Sequence, residues 1–154
     1  MLFRSDPNDE KTLYIGTMSN GLFKTIDGAE QWTPIEFPPV KNYGLTIDRN
    51  DSKRLFASGV LNESAKIFRT EDGGENWKEI YTEPGKGTVI TALGSNPSAS
   101  NVLFAGTSAG LIIKSTDGGE TWKNLASAKG AVTGVYFDKN LPNFVMFLIY
   151  EKGV

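Results

Sequence analysis

The 154-residue chain contains no cysteine and no histidine. Zinc fingers need one or both of these residues as metal ligands, and Ser–His–Asp or Cys–His nucleophile systems need the imidazole. The sequence therefore excludes these classes. The lack of cysteine fits a reducing or an oxidising compartment, so it says nothing about location.

An excess of positive charge and a long apolar run are also missing. The 16 basic and 18 acidic side chains give a formal charge of −2, whereas nucleic-acid binders depend on clustered Lys and Arg. The longest apolar run, Phe144–Tyr150, has seven residues, whereas a membrane-spanning helix takes about 20. We therefore expect no nucleic-acid partner and no membrane span, and we expect this run to form a buried strand.

Two interleaved repeats organise the chain. One has the pattern Ser/Thr-x-Asp-Gly-Gly/Ala-Glu-x-Trp and recurs every 45 residues, at Thr25–Trp32, Thr70–Trp77 and Ser115–Trp122. The other has an Asp or Asn seven residues before an apolar pair, and it begins at Asp6, Asp48, Asn96 and Asp138. Self-similarity with a period of 40 to 50 residues indicates a repeat architecture.

Each repeat unit predicts four short strands, which we call A to D. The strands are rich in β-branched and aromatic residues and are divided by Gly, Asp and Asn turns, which is typical of all-β proteins. Tandem units of this kind predict a β-propeller of four-stranded antiparallel blades. We expect no substantial helix and a single partial propeller over 1–154, with units at about 1–37, 38–82, 83–127 and 128–154.

The repeat that begins with Ser or Thr and ends with Trp resembles the Asp-box, or BNR, repeat. Its Asp-Gly-Gly-x-x-Trp form is most similar to photosystem II stability/assembly factor-like propellers and to sialidase-like and xyloglucanase-type relatives. The first likeness implies a non-catalytic propeller that docks on another protein. The others imply a carbohydrate-active enzyme, and the resemblance as a whole implies a location outside the cytoplasm.

The boxes predict structural turns rather than catalytic or metal sites, because a catalytic group has no reason to recur in every repeat. The Asp would accept backbone hydrogen bonds, the glycines would take positive φ values, and the Trp would cover the hairpin. Ala29 stands where the other boxes have Gly, which predicts a cost of about 1 kcal/mol or a different turn. The predicted structural residues are Asp27, Trp32, Asp72, Gly74, Trp77, Asp117, Gly119 and Trp122.

Counting blades predicts an incomplete ring. At 45 residues per unit the chain makes about 3.4 units, whereas propellers close with 4 to 8 blades. The sequence predicts no strand A in the first blade and an end after strand B of the fourth. We expect a section of a longer propeller. The alternative is a head-to-tail ring in which Val132–Tyr136 completes the first blade of the next copy.

In the family's topology, A–B and C–D turns share one face, and ligands usually bind on the other. The candidate ligand-face residues are Lys41, Tyr43, Asn62, Glu63, Lys86, Thr88 and Lys129. The segment Val60–Ala65 breaks the repeat, and a tolerated insertion is favoured over a binding loop. None of the four arginines matches the sialidase clamp, and Arg69 is expected to be a solvated charge on an outer strand.

The function favoured by these patterns is a non-catalytic binding or scaffold module whose partner is a protein or a carbohydrate. All eight Asp fall in A–B turns or Asp boxes, so we expect no catalytic residue, no metal site and no cofactor in this chain. Two alternatives stay open. One is part of a sialidase-like or other glycoside hydrolase whose catalytic residues lie outside the chain, and the other is a self-associating partial propeller.

Overall fold

The computed structural model describes residues 2–39, 41–138, 140–141 and 143–151. The propeller was predicted over 1–154, and both end residues of that range lie outside the described residues. The first blade consists of β1 (Leu2–Ser5), β2 (Leu13–Gly16), β3 (Leu22–Thr25) and β4 (Thr33–Ile35). The second consists of β5 (Asn42–Ile47), β6 (Leu55–Leu61), β7 (Ser64–Thr70) and β8 (Lys78–Thr82). The third consists of β9 (Ile90–Asn96), β10 (Ala99–Thr107), β11 (Leu111–Ser115) and β12 (Lys123–Ser127). The fourth contains β13 (Ala131–Phe137) and β14 (Val145–Tyr150).

Each blade is an antiparallel sheet whose strands pair in chain order. The described residues form three four-stranded sheets and one two-stranded sheet, so the predicted all-β partial propeller of about three and a half blades is confirmed. The described part of the chain contains no helix with the length and apolar character needed to cross a membrane.

The first blade has a strand A, and the prediction that it lacks one was wrong. Residues Leu2–Ser5 pair with β2 along their whole length, from Leu2 opposite Gly16 to Ser5 opposite Leu13. This strand has only four residues and ends in Arg4 and Ser5, so its alternation is too short to be recognised as a pattern. In this structure β1 occupies the position that the head-to-tail ring assigned to Val132–Tyr136 of another copy, and that segment pairs with β14 of its own blade.

The core of the protein lies between the blades. Strands A of consecutive blades are neighbours around a common axis. We call the side that a blade turns toward its predecessor the front face, and the opposite side the back face. Tyr14 and Leu22 on the back of the first blade pack against Leu45, Leu55 and Phe68 on the front of the second.

The same arrangement recurs along the chain. Phe56 and Ile67 of the second blade pack in one cluster with Leu103 and Ile113 of the third. Ala92 and Ile112 of the third blade pack against Val132 of the fourth, and Phe147 and Ile149 border that cluster. Each blade therefore buries its apolar side chains only against the adjacent blades, as in other repeat folds.

The outer strands contribute a second contact to the first two blade pairs. Ile35 lies three residues after Trp32 and packs over Gly74 of the next box, where a Cβ atom would lie 3.2 Å from Ile35 Cδ1. Ile80 packs in the same way over Gly119. Leu125 is their counterpart in the third blade, and it is 52% exposed.

Arg69 is an interblade residue, and the prediction that it is solvated was wrong. Its side chain is 15% exposed. The guanidinium donates from Nη1 to the carbonyl of Gly118 at 2.8 Å, and Nη2 lies 3.0 Å from Glu120 Oε1. The sequence could not reveal these bonds, because they depend on the next blade placing its box beside β7.

We expect Arg69→Leu to lower the free energy of unfolding by about 2 kcal/mol, since it removes a charge-assisted hydrogen bond at a partly buried interface. The matched control is Lys114→Leu, which changes the repeat counterpart on the last complete blade and should have a smaller effect. Urea unfolding of both variants measures the difference. Equal losses would show that Arg69 contributes nothing through the neighbouring box.

Candidate functional site

The three Asp boxes have one hydrogen-bond pattern. In the second box, the Thr70 hydroxyl donates to Asp72 Oδ1 at 2.6 Å, and the same oxygen accepts the amides of Glu75 and Asn76 at 2.9 Å each. The amide of Gly74 donates to Thr70 Oγ1 at 3.1 Å. Asp27 accepts the corresponding bonds from the Thr25 hydroxyl and two amides, and Asp117 accepts bonds from the Ser115 hydroxyl and the Thr121 amide. The carboxylate therefore satisfies backbone donors that the tight turn would otherwise leave without a partner.

The turns require left-handed backbone at two successive positions. Gly73 and Gly74 have φ values of 77° and 101°, and Gly118 and Gly119 have 74° and 96°. Ala29 keeps this conformation, with φ at 81°. Of the two outcomes predicted for Ala29, the structure has the strained turn rather than a different one.

The tryptophans of the second and third boxes bind back to their own turns. The Trp77 indole donates to the Gly74 carbonyl at 3.2 Å, and the Trp122 indole donates to Gly119 at 3.1 Å. Phe37 of the preceding blade covers Trp77 at 4.9 Å between ring centroids. Trp77 therefore has a hydrogen-bond partner in its own turn and a cover from the preceding blade.

The hydrogen bonds of the boxes lower the pKa values of their carboxyl groups. The Thr121 side chain, helped by its amide and by Ser115, lowers the pKa of Asp117 to about 2. The Thr70 hydroxyl is the largest cause of the lowered pKa of Asp72, and the Thr25 hydroxyl is the largest cause for Asp27. A carboxyl group held in its charged form in this way is poorly suited to general acid catalysis at neutral pH.

The candidate ligand-face residues lie at the other end of the blades, in separate loops. Lys41 and Tyr43 lie between the first two blades and at the start of β5, and Tyr43 is at a register shift in its pairing with β6. Lys86 and Thr88 lie in the link before β9, and Lys129 lies in the link before β13. The structure distributes these residues over three links and one hairpin, and their role in binding stays a prediction.

The irregular segment Val60–Ala65 is a hairpin extension. Strands β6 and β7 continue to the pair Leu61 and Ser64. Asn62 and Glu63 form the two-residue turn, with φ values of 52° and 65°. Positive φ at both central positions is characteristic of a type I′ turn, whose twist matches that of the paired strands.

A cavity of about 590 Å³ lies on the propeller axis, at the end that carries the A–B turns. The innermost strands of all four blades line it, and Arg4, Arg49, Thr46, Ser95 and Tyr136 are its main polar residues. Arg4 and Tyr136 also line a smaller cavity of about 230 Å³.

Sequence reasoning missed this axial cavity. Arg4 belongs to β1 and donates from Nη1 to the carbonyl of Phe3 at 2.7 Å. Burial lowers the pKa of Arg4, and the nearby Tyr136 opposes that shift, but a guanidinium stays charged at neutral pH. The sequence offered one signal. Arg4 is basic, whereas the residues aligned with it in the next two units, Thr46 and Gly94, are uncharged.

Two further features bear on the kind of site present. A cleft of about 620 Å³ lies on the outer rim between the first two blades, and Asp27, Ile35 and Gly74 are among its lining residues. These three lining residues already take part in box hydrogen bonds or in packing between blades. In the described part of the chain, no group of three or more acidic side chains is arranged to hold a metal ion.

The fold and its boxes define the class of protein as a β-propeller built from Asp-box repeats. The model of the family described as photosynthesis system II assembly factor YCF48 matches residues 3–141. The chain belongs to this family. No curated protein matches the chain at a significant level.

Similar solved structures include an ancestral GH74 enzyme, with 19% identity, a TM-score of 0.78, and coverage of 95% of this chain and 21% of that one. YCF48 bound to D1 peptide has 18% identity and a TM-score of 0.65, with coverage of 86% and 41%. YCF48 from Cyanidioschyzon merolae has 21% identity and a TM-score of 0.65, with coverage of 89% and 46%. At these identities the likeness shows the fold, and the chain spans between about a fifth and a half of these relatives.

We expect Ala29→Gly to raise the free energy of unfolding by about 1 kcal/mol, because glycine relieves the left-handed strain at φ 81°. The reverse change in the third box, Gly119→Ala, should lower it by more than that amount, since the new methyl group would also collide with Ile80. Thermal and urea unfolding measure both variants. A stability loss in Ala29→Gly would contradict the assignment of strain to this turn.

We also expect the boxes to make stability depend on acid pH. The pKa of Asp117 is about 2 in the folded protein and about 4 in an unfolded chain. A lowered folded-state pKa stabilises the protein above the unfolded value, and that contribution disappears as pH falls from about 4 to about 2. Asp117→Asn should therefore flatten the fall of unfolding free energy across this window. Curves of wild type and variant that stay parallel from pH 5 to pH 2 would contradict this.

Proposed function

We propose that this chain is the protein-binding section of a non-catalytic β-propeller, and that its axial cavity receives a segment of the partner. The observation that carries the proposal is the pair of cationic side chains, Arg4 and Arg49, on the wall of a cavity shared by four blades. Guanidinium groups recognise carboxylates and backbone carbonyls of a peptide through several donors at once. Membership of the YCF48 family supports a protein partner, since one YCF48 structure contains a bound D1 peptide.

The charge of the cavity favours binding over hydrolysis. Glycoside hydrolases usually need two carboxyl groups about 5 to 10 Å apart. The described residues that line the axial cavity include no Asp or Glu, and the carboxylates of the boxes are engaged in turn hydrogen bonds. We propose a structural role for the box residues on this ground.

A binding assay tests the proposal with the D1 peptide found in the YCF48 complex. We expect saturable binding to the isolated chain, and we expect Arg4→Gln to weaken it about tenfold, the loss of one charge-assisted hydrogen bond. The matched control is Lys53→Gln, which removes an exposed charge at the same end of the blades but outside the cavity. Calorimetry gives both affinities, and circular dichroism confirms that both variants are folded.

Two results would contradict the proposal. One is the absence of saturable binding by the peptide, and the other is an equal loss of affinity in Arg4→Gln and Lys53→Gln. A panel of fluorogenic glycosides tests the hydrolase alternative in parallel. Turnover by the chain alone would contradict the proposal that this section of the propeller is non-catalytic.

A further inference from the structure

The cleft on the outer rim between the first two blades, which we call the rim cleft, is a separate candidate for a binding site. Both of these blades have four strands, so the cleft is a gap between two complete sheets. The first blade contributes Ile26 and Ile35 to its walls, and the second contributes Gly73, Gly74 and Glu75. Its volume of about 620 Å³ is within the usual range of ligand sites, about 300 to 1,000 Å³. The described residues that line it do not overlap with those of the axial cavity.

The equivalent interface, between the second and third blades, is bridged by two cationic side chains. Arg69 donates to the Gly118 carbonyl at 2.8 Å and lies 3.0 Å from Glu120 Oε1. Lys78 Nζ lies 2.9 Å from the same carboxylate oxygen. The third box thus presents a carbonyl and a carboxylate outward, and the second blade supplies a guanidinium and an ammonium to them.

The box that borders the rim cleft has the same two acceptors. Gly73 stands at the position of Gly118, and Glu75 stands at the position of Glu120. Within the described residues, the Glu75 carboxylate forms no ion pair, and no side chain donates to the Gly73 carbonyl as Arg69 does to Gly118. The second box therefore presents an acceptor pair whose counterpart elsewhere in the same molecule binds a guanidinium.

The first blade lacks the matching donors. Lys24 stands in place of Arg69, and the neutral Thr33 replaces the second cation. Lys24 Nζ lies 5.5 Å from the centroid of the Tyr14 ring and beside Gly73, where a Cβ atom would lie 3.4 Å from it. An ammonium is a compact point charge and lacks the planar fork with which a guanidinium donates to two acceptors at once. The two acceptors of the second box are thus left for a donor from outside the chain.

The charge and the apolar surface of the rim cleft also suit an arginine side chain. Ile26 is 70% exposed, whereas its repeat counterparts are the polar residues Glu71 and Thr116. An exposed apolar wall can cover the aliphatic stem of a long side chain whose charged head stays among polar groups. The charged residues of the lining are three carboxylates and one ammonium, on Asp27, Glu36, Glu75 and Lys24.

We infer that the rim cleft binds an arginine side chain carried by a short segment of another polypeptide. The guanidinium lies between the Gly73 carbonyl and the Glu75 carboxylate and donates to both, as Arg69 does to their counterparts. The stem of the arginine lies on Ile26. This site goes beyond the proposed function, because it takes a cationic group on the rim and does not depend on peptide binding in the axial cavity.

The extent of the cleft favours a polypeptide over a free guanidine compound. The cleft runs along β4 from Thr33 to Glu36. Pro34 and Ile35 provide apolar surface there, beyond the reach of the guanidinium itself. Residues that flank the arginine in a segment contact this surface, whereas a free compound leaves it bare.

An amide-resolved NMR titration of the intact chain tests the inference with the end-blocked peptide Gly-Ile-Arg-Ile-Gly. We expect saturable one-to-one shifts centred on the amides of Gly73, Gly74 and Glu75. The same peptide with citrulline in place of arginine keeps the shape without the charge, and it should bind about tenfold more weakly. The peptide with lysine keeps the charge without the fork, and it should also bind more weakly.

Lys24→Arg is the sharpest variant, because it keeps the charge of the cleft and gives the first blade the guanidinium that the second has in Arg69. Its side chain should occupy both acceptors and weaken the arginine peptide about tenfold. Glu75→Gln should weaken it by a similar factor, since it removes the charge of one acceptor. The matched control is Glu30→Gln, which changes the same position in the first box, outside the cleft lining, and should leave the affinity unchanged.

Four results would overturn the inference: no saturable shifts, equal affinity for the lysine peptide, unchanged affinity in Lys24→Arg, or an equal loss in Glu30→Gln and Glu75→Gln. Binding of agmatine as tight as that of the peptide would overturn the assignment to a polypeptide. Arg4→Gln, which changes the axial cavity, should leave this titration unchanged. The rim site and the axial site can therefore fail separately.

Discussion

The stacking of each blade on its neighbour is the contact on which the structure depends. A four-stranded blade has two apolar faces and buries them against adjacent blades, because residues 2–151, as far as the structure describes them, form no other layer. The first three blades therefore contribute their back faces to the cores of the next blades, through residues such as Tyr14, Phe56 and Ile112. The outer strands reinforce these cores through Ile35 and Ile80, and the boxes set the positions of both residues.

The boxes combine an unfavourable backbone with favourable polar bonds. Two successive left-handed residues are costly for any side chain except glycine. The Asp carboxylate offsets that cost by accepting amide hydrogen bonds, and the preceding Ser or Thr adds a further bond. The box with Ala29 keeps the turn although it lacks the second glycine, so the polar bonds are sufficient to hold it.

Local sequence patterns predicted the fold, but they could not predict most of the contacts between blades. The spacing of the boxes predicted the strands, the turns and the propeller, since each feature depends on residues close in sequence. Strand β1 was missed because its four residues carry too short an alternation. Arg69 was misassigned because its partners lie about 50 residues away. The axial cavity was missed because Arg4 and Tyr136 meet only through the curvature of the ring.

The nearest-neighbour packing has a consequence for how the chain opens. The second blade has complete four-stranded neighbours on both sides, whereas the first and fourth each have one covered face. In a linear array of this kind the terminal units separate at a lower free energy than the middle ones. Backbone amides of β6 should then be protected up to global unfolding, and those of β14 should exchange through partial detachment of the last blade.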